Sequence, residues 1–188
     1  SSTVSGEVMA GSATAYVPRV DREIVYSSSE PMGNIIYVTA GSANAKVLVS
    51  RFIVDDVSLN YGVVEHFFAR DGSLYSYEEL SGATSLVIPA RAQAGMAWID
   101  GSGTKEIVAV NAAVQVRNAS YESCVVIKTL HNGVECYEVY ASGKGHVATV
   151  DDYLNPDKIY VRFRSDDAYS GNAQMRLSEV STKINEIQ

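Results

Sequence analysis

The stretch VYASGKGHVATV, Val139 to Val150, sets a lysine between two glycines and follows it with a histidine, the residue types of a phosphate cradle or a catalytic loop. A phosphate loop needs Gly-x-x-x-x-Gly-Lys-Ser/Thr after a strand and before a helix, so that backbone N–H groups and the helix N-terminus converge on the anion. That spacing is missing, and HVATV continues as a strand, so the stretch reads as a turn between two strands. Ser102-Gly103-Thr104-Lys105 has the Ser-x-x-Lys spacing of an acylated serine, but that motif opens a helix and this one sits in a glycine turn. His66, His131 and His146 stand alone, with no second histidine at metal-site spacing and no Gly-x-Ser-x-Gly elbow. Glu78-Glu79 would serve a glycosidase only with a second carboxylate across a cleft. Asp55-Asp56, Asp151-Asp152 and Asp166-Asp167 fall at strand ends, as solvated turn carboxylates do, and none has a calcium-loop pattern.

One cluster reads as a binding site. If Asp71-Gly72 is a two-residue turn, Phe68 lies opposite Tyr75 and His66 opposite Tyr77, all on one face of a hairpin. With Trp98 these side chains would line a groove for a sugar or an apolar ligand. The competing reading is that the aromatic pairs only stiffen the sheet and cover its core. Cys124 and Cys136 flank the Asn132-Gly133 pair, the strongest type I′ turn signal, which needs positive φ at both central residues. That turn sets Lys128 against Tyr137 and Val126 against Val139. Cys136 then faces Thr129, on the opposite side of the hairpin from Cys124, which predicts two free and mostly buried thiols and no zinc site.

The elements that must position these residues are nearly all strands. NIIYVTA, AKVLVSRFIV, GVVEHFFA, KEIVAVNAAVQV, SCVVIKTL, ECYEVYA and KIYVRFRS are short, rich in Val, Ile, Tyr and Phe, and separated by Gly, Asn, Asp and Ser. The pattern predicts an all-β, antiparallel meander forming a curved half-barrel or a two-sheet sandwich, because one flat sheet of this size would leave long edges exposed. Only the tail NAQMRLSEVSTKINEIQ carries a helical rhythm, at Leu177, Val180, Ile184 and Ile187, while Ala173, Met175 and Leu177 alternate as in a strand, so the expectation is a short strand running into a short C-terminal helix. The 188 residues, 46% of them hydrophobic, fit one β domain over 13–188 behind a small, polar, flexible leader over 1–12. With 15 basic against 22 acidic residues the net charge of −7 repels phosphate backbones and anionic membranes, so nucleic acid is not an expected partner. The longest apolar stretch, Ile107 to Val116, falls short of the roughly 20 residues that cross a bilayer as a helix.

Motif order adds a resemblance. AYVPRVDREIVYS (15–27), SLVIPARAQAGMAW (85–98), KEIVAVNAAVQVRNASYESCVVIKT (105–129) and YEVYASGKGHVATV (137–150) together resemble an uncharacterised family of predicted surface lipoproteins from Gram-positive, clostridia-like bacteria. Tyr16, Pro18, Pro89, Gly95, Trp98, Tyr121, Tyr140, Ala141, Gly145 and Val147 fall on the family's pattern. Asn118-Ala119-Ser120 and Gly145-His146-Val147-Ala148 depart from it, so the resemblance is to a divergent member. It implies an extracytoplasmic, antiparallel β domain, secreted or tethered to the membrane through a lipidated N-terminal cysteine that precedes these residues. It transfers no catalytic residue. The expectation is a cell-surface domain that binds a cell-wall glycan or a small apolar ligand, or acts structurally, needs no cofactor or metal, and is not an enzyme. The alternative is a hydrolase whose histidine and carboxylate are assembled in space.

Overall fold

The computed structural model describes residues 6–19, 23–28, 35–42, 49–55, 61–79, 81–155 and 162–167. Among them a 3-10 turn, Ala13–Tyr16, precedes twelve strands. These are β1 (Glu23–Ser28), β2 (Ile35–Ser42), β3 (Val49–Asp55), β4 (Tyr61–Arg70), β5 (Ser73–Glu78), β6 (Thr84–Ile88), β7 (Ala97–Asp100), β8 (Gly103–Val116), β9 (Ala119–His131), β10 (Val134–Ala141), β11 (Gly145–Val150) and β12 (Arg162–Asp167). Every ladder is antiparallel, and the fold is all-β, as the short β-branched and aromatic runs predict. Strand order is β6-β5-β4-β3-β2-β1-β12-β11-β10-β9-β8-β7. The chain therefore enters mid-sheet, walks out to one end, crosses to the other end through residues 89–96, and walks back until β12 meets β1. β6 and β7 end the order unpaired with each other among the described residues, so the sheet curls without closing.

Turn chemistry fixes the registers. Asn132 and Gly133 have φ of 51° and 74°, and His131 pairs with Val134, Lys128 with Tyr137 and Val126 with Val139. Asp71 and Gly72, at φ 52° and 79°, set Phe68 against Tyr75 and His66 against Tyr77. Gly101, at φ 60°, opens the two-residue turn between Asp100 and Gly103, where a type II′ turn wants glycine. Cys136 pairs with Thr129 and Cys124 with Ala141, and both thiols are free.

Side chains from both arms of the order meet in one core. Phe67, Leu74 and Ile88 from β4–β6 pack with Ile107, Val125 and Ile127 from β8 and β9, which brings the two arms face to face. A second core lies on the other face of β9–β11, where Cys124, Val126, Val139, Val147 and Val150 join Val114 and Tyr121. β9 is therefore buried on both sides, and Val125, Val126 and Ile127 in succession are all at 0% exposure. The β8–β9 hairpin turns a corner to reach both cores. Asn111 and Ser123, one on each strand, take φ of 52° and 53°, and the register shifts between Ala109 and Val114. Such paired irregularities bend a hairpin without ending it.

Residues 6–12, which the composition assigns to a flexible leader, are instead held against the sheet. Val8 bridges Gln93, the Met9 N–H donates to the Ala92 carbonyl at 2.8 Å, and Met9 is buried. Asn111 accepts from the Ala10 N–H at 2.7 Å and donates to the Val8 carbonyl at 3.0 Å, so the corner residue is also the clamp. A small polar composition does not reveal such backbone bonds. The 3-10 turn follows, with its Thr14 N–H capped by Ser12 Oγ, Tyr16 buried and its phenol donating to the Ser123 carbonyl at 3.0 Å.

The glycines of SGKGH now have their reason. The Gly143 N–H donates to the Ala15 carbonyl at 2.7 Å, and a Cβ on Gly145, at φ 81°, would come within 2.8 Å of the Pro18 nitrogen. The loop is a turn, as its spacing implies, and it is also the seat of the N-terminal segment. Residues 1–5 and the C-terminal tail over 172–188 that carries the helical rhythm lie outside the described residues. No helix among the described residues is long and apolar enough to cross a membrane.

Candidate functional site

Strand alternation sends one set of side chains from each arm toward the other. Glu65 and Phe67 on β4, Ser76 and Glu78 on β5, Lys105 on β8 and Glu138 on β10 share the walls of a cavity of about 320 Å³. Pro18 and the buried Tyr16 also border it, so the N-terminal segment contributes to its wall. Burial, with the Cys124 thiol as a smaller influence, pushes the Tyr16 phenol above its ordinary value, and it stays a neutral donor.

Polar groups inside the cavity are organised around two centres. Lys105 Nζ lies 3.4 Å from Asp100 Oδ2 and 3.7 Å from Glu138 Oε1, and the Tyr140 phenol donates to Glu138 Oε2 at 2.6 Å. A single lysine thus sits between carboxylates from two non-adjacent strands. The second centre is on β11. His146 and Thr149 are three residues apart and would face opposite sides of a regular strand. The register jumps, however, from Val139↔Ala148 to Tyr140↔His146, and the extra residue turns both toward the cavity. His146 Nε2 is 2.8 Å from Thr149 Oγ1, and Nδ1 is 3.2 Å from the Tyr26 phenol oxygen. Tyr26 also stacks on the imidazole, with ring centroids 5.3 Å apart, and gives its own proton to the His146 carbonyl at 2.7 Å. In the tautomer that carries its proton on Nδ1, that nitrogen donates to the Tyr26 phenol oxygen and Nε2 presents its lone pair to the Thr149 hydroxyl.

The groove expected from Phe68, Tyr75, Tyr77, His66 and Trp98 does not assemble as one surface. Phe68 and Tyr75 do stack, with centroids 5.6 Å apart and planes at 17°, and the Arg70 guanidinium lies over both rings at 5.2 and 5.5 Å. His66 stacks on Tyr77 at 6.1 Å and its Nε2 is 3.2 Å from Glu79 Oε2. These pairs alternate with Phe67 and Leu74, so they face away from the cavity. Trp98 pairs with Lys105 on the cavity side and packs against the inner core, its Nε1 buried without a hydrogen-bond partner among the described residues. One residue of parity separates the two groups. The sequence gives each hairpin's pairs but does not say which face of one hairpin shares a side with another.

Other candidates resolve similarly. Ser102 Oγ meets His131 Nδ1 at 3.3 Å at an exposed hairpin end, while Lys105 turns inward, so the Ser-x-x-Lys spacing is not a constellation. Glu78 does acquire carboxylates on the facing wall, Asp100 and Glu138. Glu138, Tyr26 and Thr149 escaped sequence reasoning, and Lys105 entered it only through the Ser-x-x-Lys spacing, because each stands alone in a strand and only curvature brings them together. No group of three or more His, Cys, Asp or Glu among the described residues is arranged to hold a metal ion. Comparison of the chain with family models, with curated proteins and with solved structures finds no match.

Proposed function

We propose that this chain is an extracytoplasmic, cell-surface β domain that binds a small polyhydroxylated ligand of the cell-wall glycan class in the cavity between its two arms. One observation carries the reading: carboxylates and an ammonium that hydrogen-bond hydroxyl pairs share the cavity walls with Tyr16, Phe67 and Tyr140, whose rings suit the C–H faces of a sugar. The polar walls fit a sugar better than an apolar ligand. The surface location rests on the resemblance carried by residues 15 to 150 and is tested by protease accessibility on intact cells.

Trp98, the single tryptophan, is cross-strand from Lys105 and reports on that wall. Titration with N-acetylglucosamine oligomers and other cell-wall fragments is expected to shift its emission saturably. Glu138→Gln, which keeps the shape but removes the charge facing Lys105, is expected to weaken binding about tenfold, the value of one charge-assisted hydrogen bond. Phe68→Ala on the outer hairpin is expected to leave binding intact. The reverse pattern would move the site to the outer aromatic face.

The hydrolase alternative has its own supporting observation, since His146 meets a hydroxyl inside the cavity.

A further inference from the structure

We infer that the cavity hydrolyses acyl esters of sugar hydroxyls, with Thr149 as nucleophile and His146 as its general base. The inference rests on the proposal that the cavity binds a sugar. An activated hydroxyl is recognised by a base within hydrogen-bond reach and a third group orienting that base. Thr149 Oγ1 to His146 Nε2 at 2.8 Å is the first relation, and His146 Nδ1 to the Tyr26 phenol at 3.2 Å is the second. Tyr26 is itself fixed, through its bond to the His146 carbonyl and its stack on the ring. Tyr140 meets the imidazole edge-on with centroids 5.4 Å apart, so the ring is held from a second side. The register shift along β11 sets His146 and Thr149 on one face, which a regular strand would not do.

In the reaction, Thr149 Oγ bonds to the acyl carbon while its proton passes to Nε2. The tetrahedral intermediate collapses as the C–O bond to the sugar breaks, and the proton on Nε2 goes to the departing sugar oxygen. Water then adds to the acyl-threonine carbonyl and gives a proton to Nε2. Thr149 Oγ leaves and recovers that proton, and a carboxylic acid is released. The imidazolium formed in each half faces an acidic environment: Glu138 pairs with Thr149 in register, and Glu65, Glu78 and Asp100 share the walls. Among the described residues of the lining, Lys105 supplies the positive charge for the oxyanion. The same carboxylates select the substrate. A neutral ester is admitted, whereas the carboxylate product is repelled, which favours its release.

The test is acetate release from penta-O-acetylglucose by the purified protein, followed by proton NMR, with calorimetry of an unacylated sugar, N-acetylglucosamine oligomer, on the wild type. Saturable release is expected, reduced about a hundredfold or more in Thr149→Val and in His146→Gln and restored to within about tenfold in Thr149→Ser. Ser102→Ala, which removes the second hydroxyl–histidine contact, outside the cavity, is expected to retain full turnover. Near-UV circular dichroism from Trp98 verifies that each variant is folded. Sugar binding without acetate release, or release unchanged in folded Thr149→Val, overturns the catalytic inference and leaves binding standing. Neither binding nor release overturns both.

Discussion

At the scale of single residues, Cys124 shows how position decides chemistry. Burial first, and the neighbouring Glu122 second, push its thiol up to about 12 from an ordinary value near 9. A group whose folded value is raised adds stability that is fully present below the unfolded value and is lost as pH rises through the folded one. Stability is therefore expected to fall from about pH 9 upward, because the unfolded thiol ionises while the folded one resists. Urea melts across that range should show the slope, and Cys124→Ala should flatten it. A residue of slope should remain, since Tyr16 and Tyr137 are also raised by burial. Iodoacetamide near pH 8 should modify the half-buried Cys136 well before Cys124, and mass spectrometry of timed digests reads the order. That the two thiols would be apart was legible from Asn132-Gly133 alone. Their difference in environment was not, because it comes from Val114 and Val147 packing over one of them from other strands.

At the scale of elements, the hairpins were legible and the bends were not. Asn-Gly and Asp-Gly announce themselves because few residues accept positive φ, and the pairing on either side follows by counting. Asn111 inside VNAAV carries the same backbone conformation, at φ 52°, with no glycine beside it and an apolar strand on both sides. Its role lies in partners about a hundred residues away: the Ala10 N–H, the Val8 carbonyl and the Glu7 carboxylate at 3.1 Å. Asn111→Ala loses these bonds and forces a Cβ-bearing side chain without local compensation into the left-handed region, at a cost of about 3 kcal/mol. Asn111→Gly loses the same bonds without the strain and is expected to cost about 1 kcal/mol less. The two urea midpoints separate clamp from corner. The β11 bulge escaped for the same reason, since HVATV counts as a regular strand until its neighbour sets the register.

At the scale of the whole molecule, every neighbouring pair of strands among the described residues is consecutive in the chain except β1 with β12. That seam sets Glu23 opposite Asp167 and Ser28 opposite Arg162, pairings that no local signal announces. The antiparallel class and the curvature follow from strand number and patterning, whereas the seam depends on how far the walk carries each arm. The arrangement has a consequence for assembly of the fold. Residues in β1 cannot find β12 until nearly the whole intervening chain has been organised, and such distant closure slows folding. A circular permutant, with its ends joined and new ends opened in the 89–96 crossing, would run β7 through β12 and then β1 through β6. Its sheet would contain only sequence-adjacent pairs. It is expected to reach the same far-ultraviolet spectrum about tenfold faster in stopped-flow refolding, because its contact order is lower. The position at which the polypeptide is cut, rather than the set of contacts it makes, would then set the tempo at which this sheet forms.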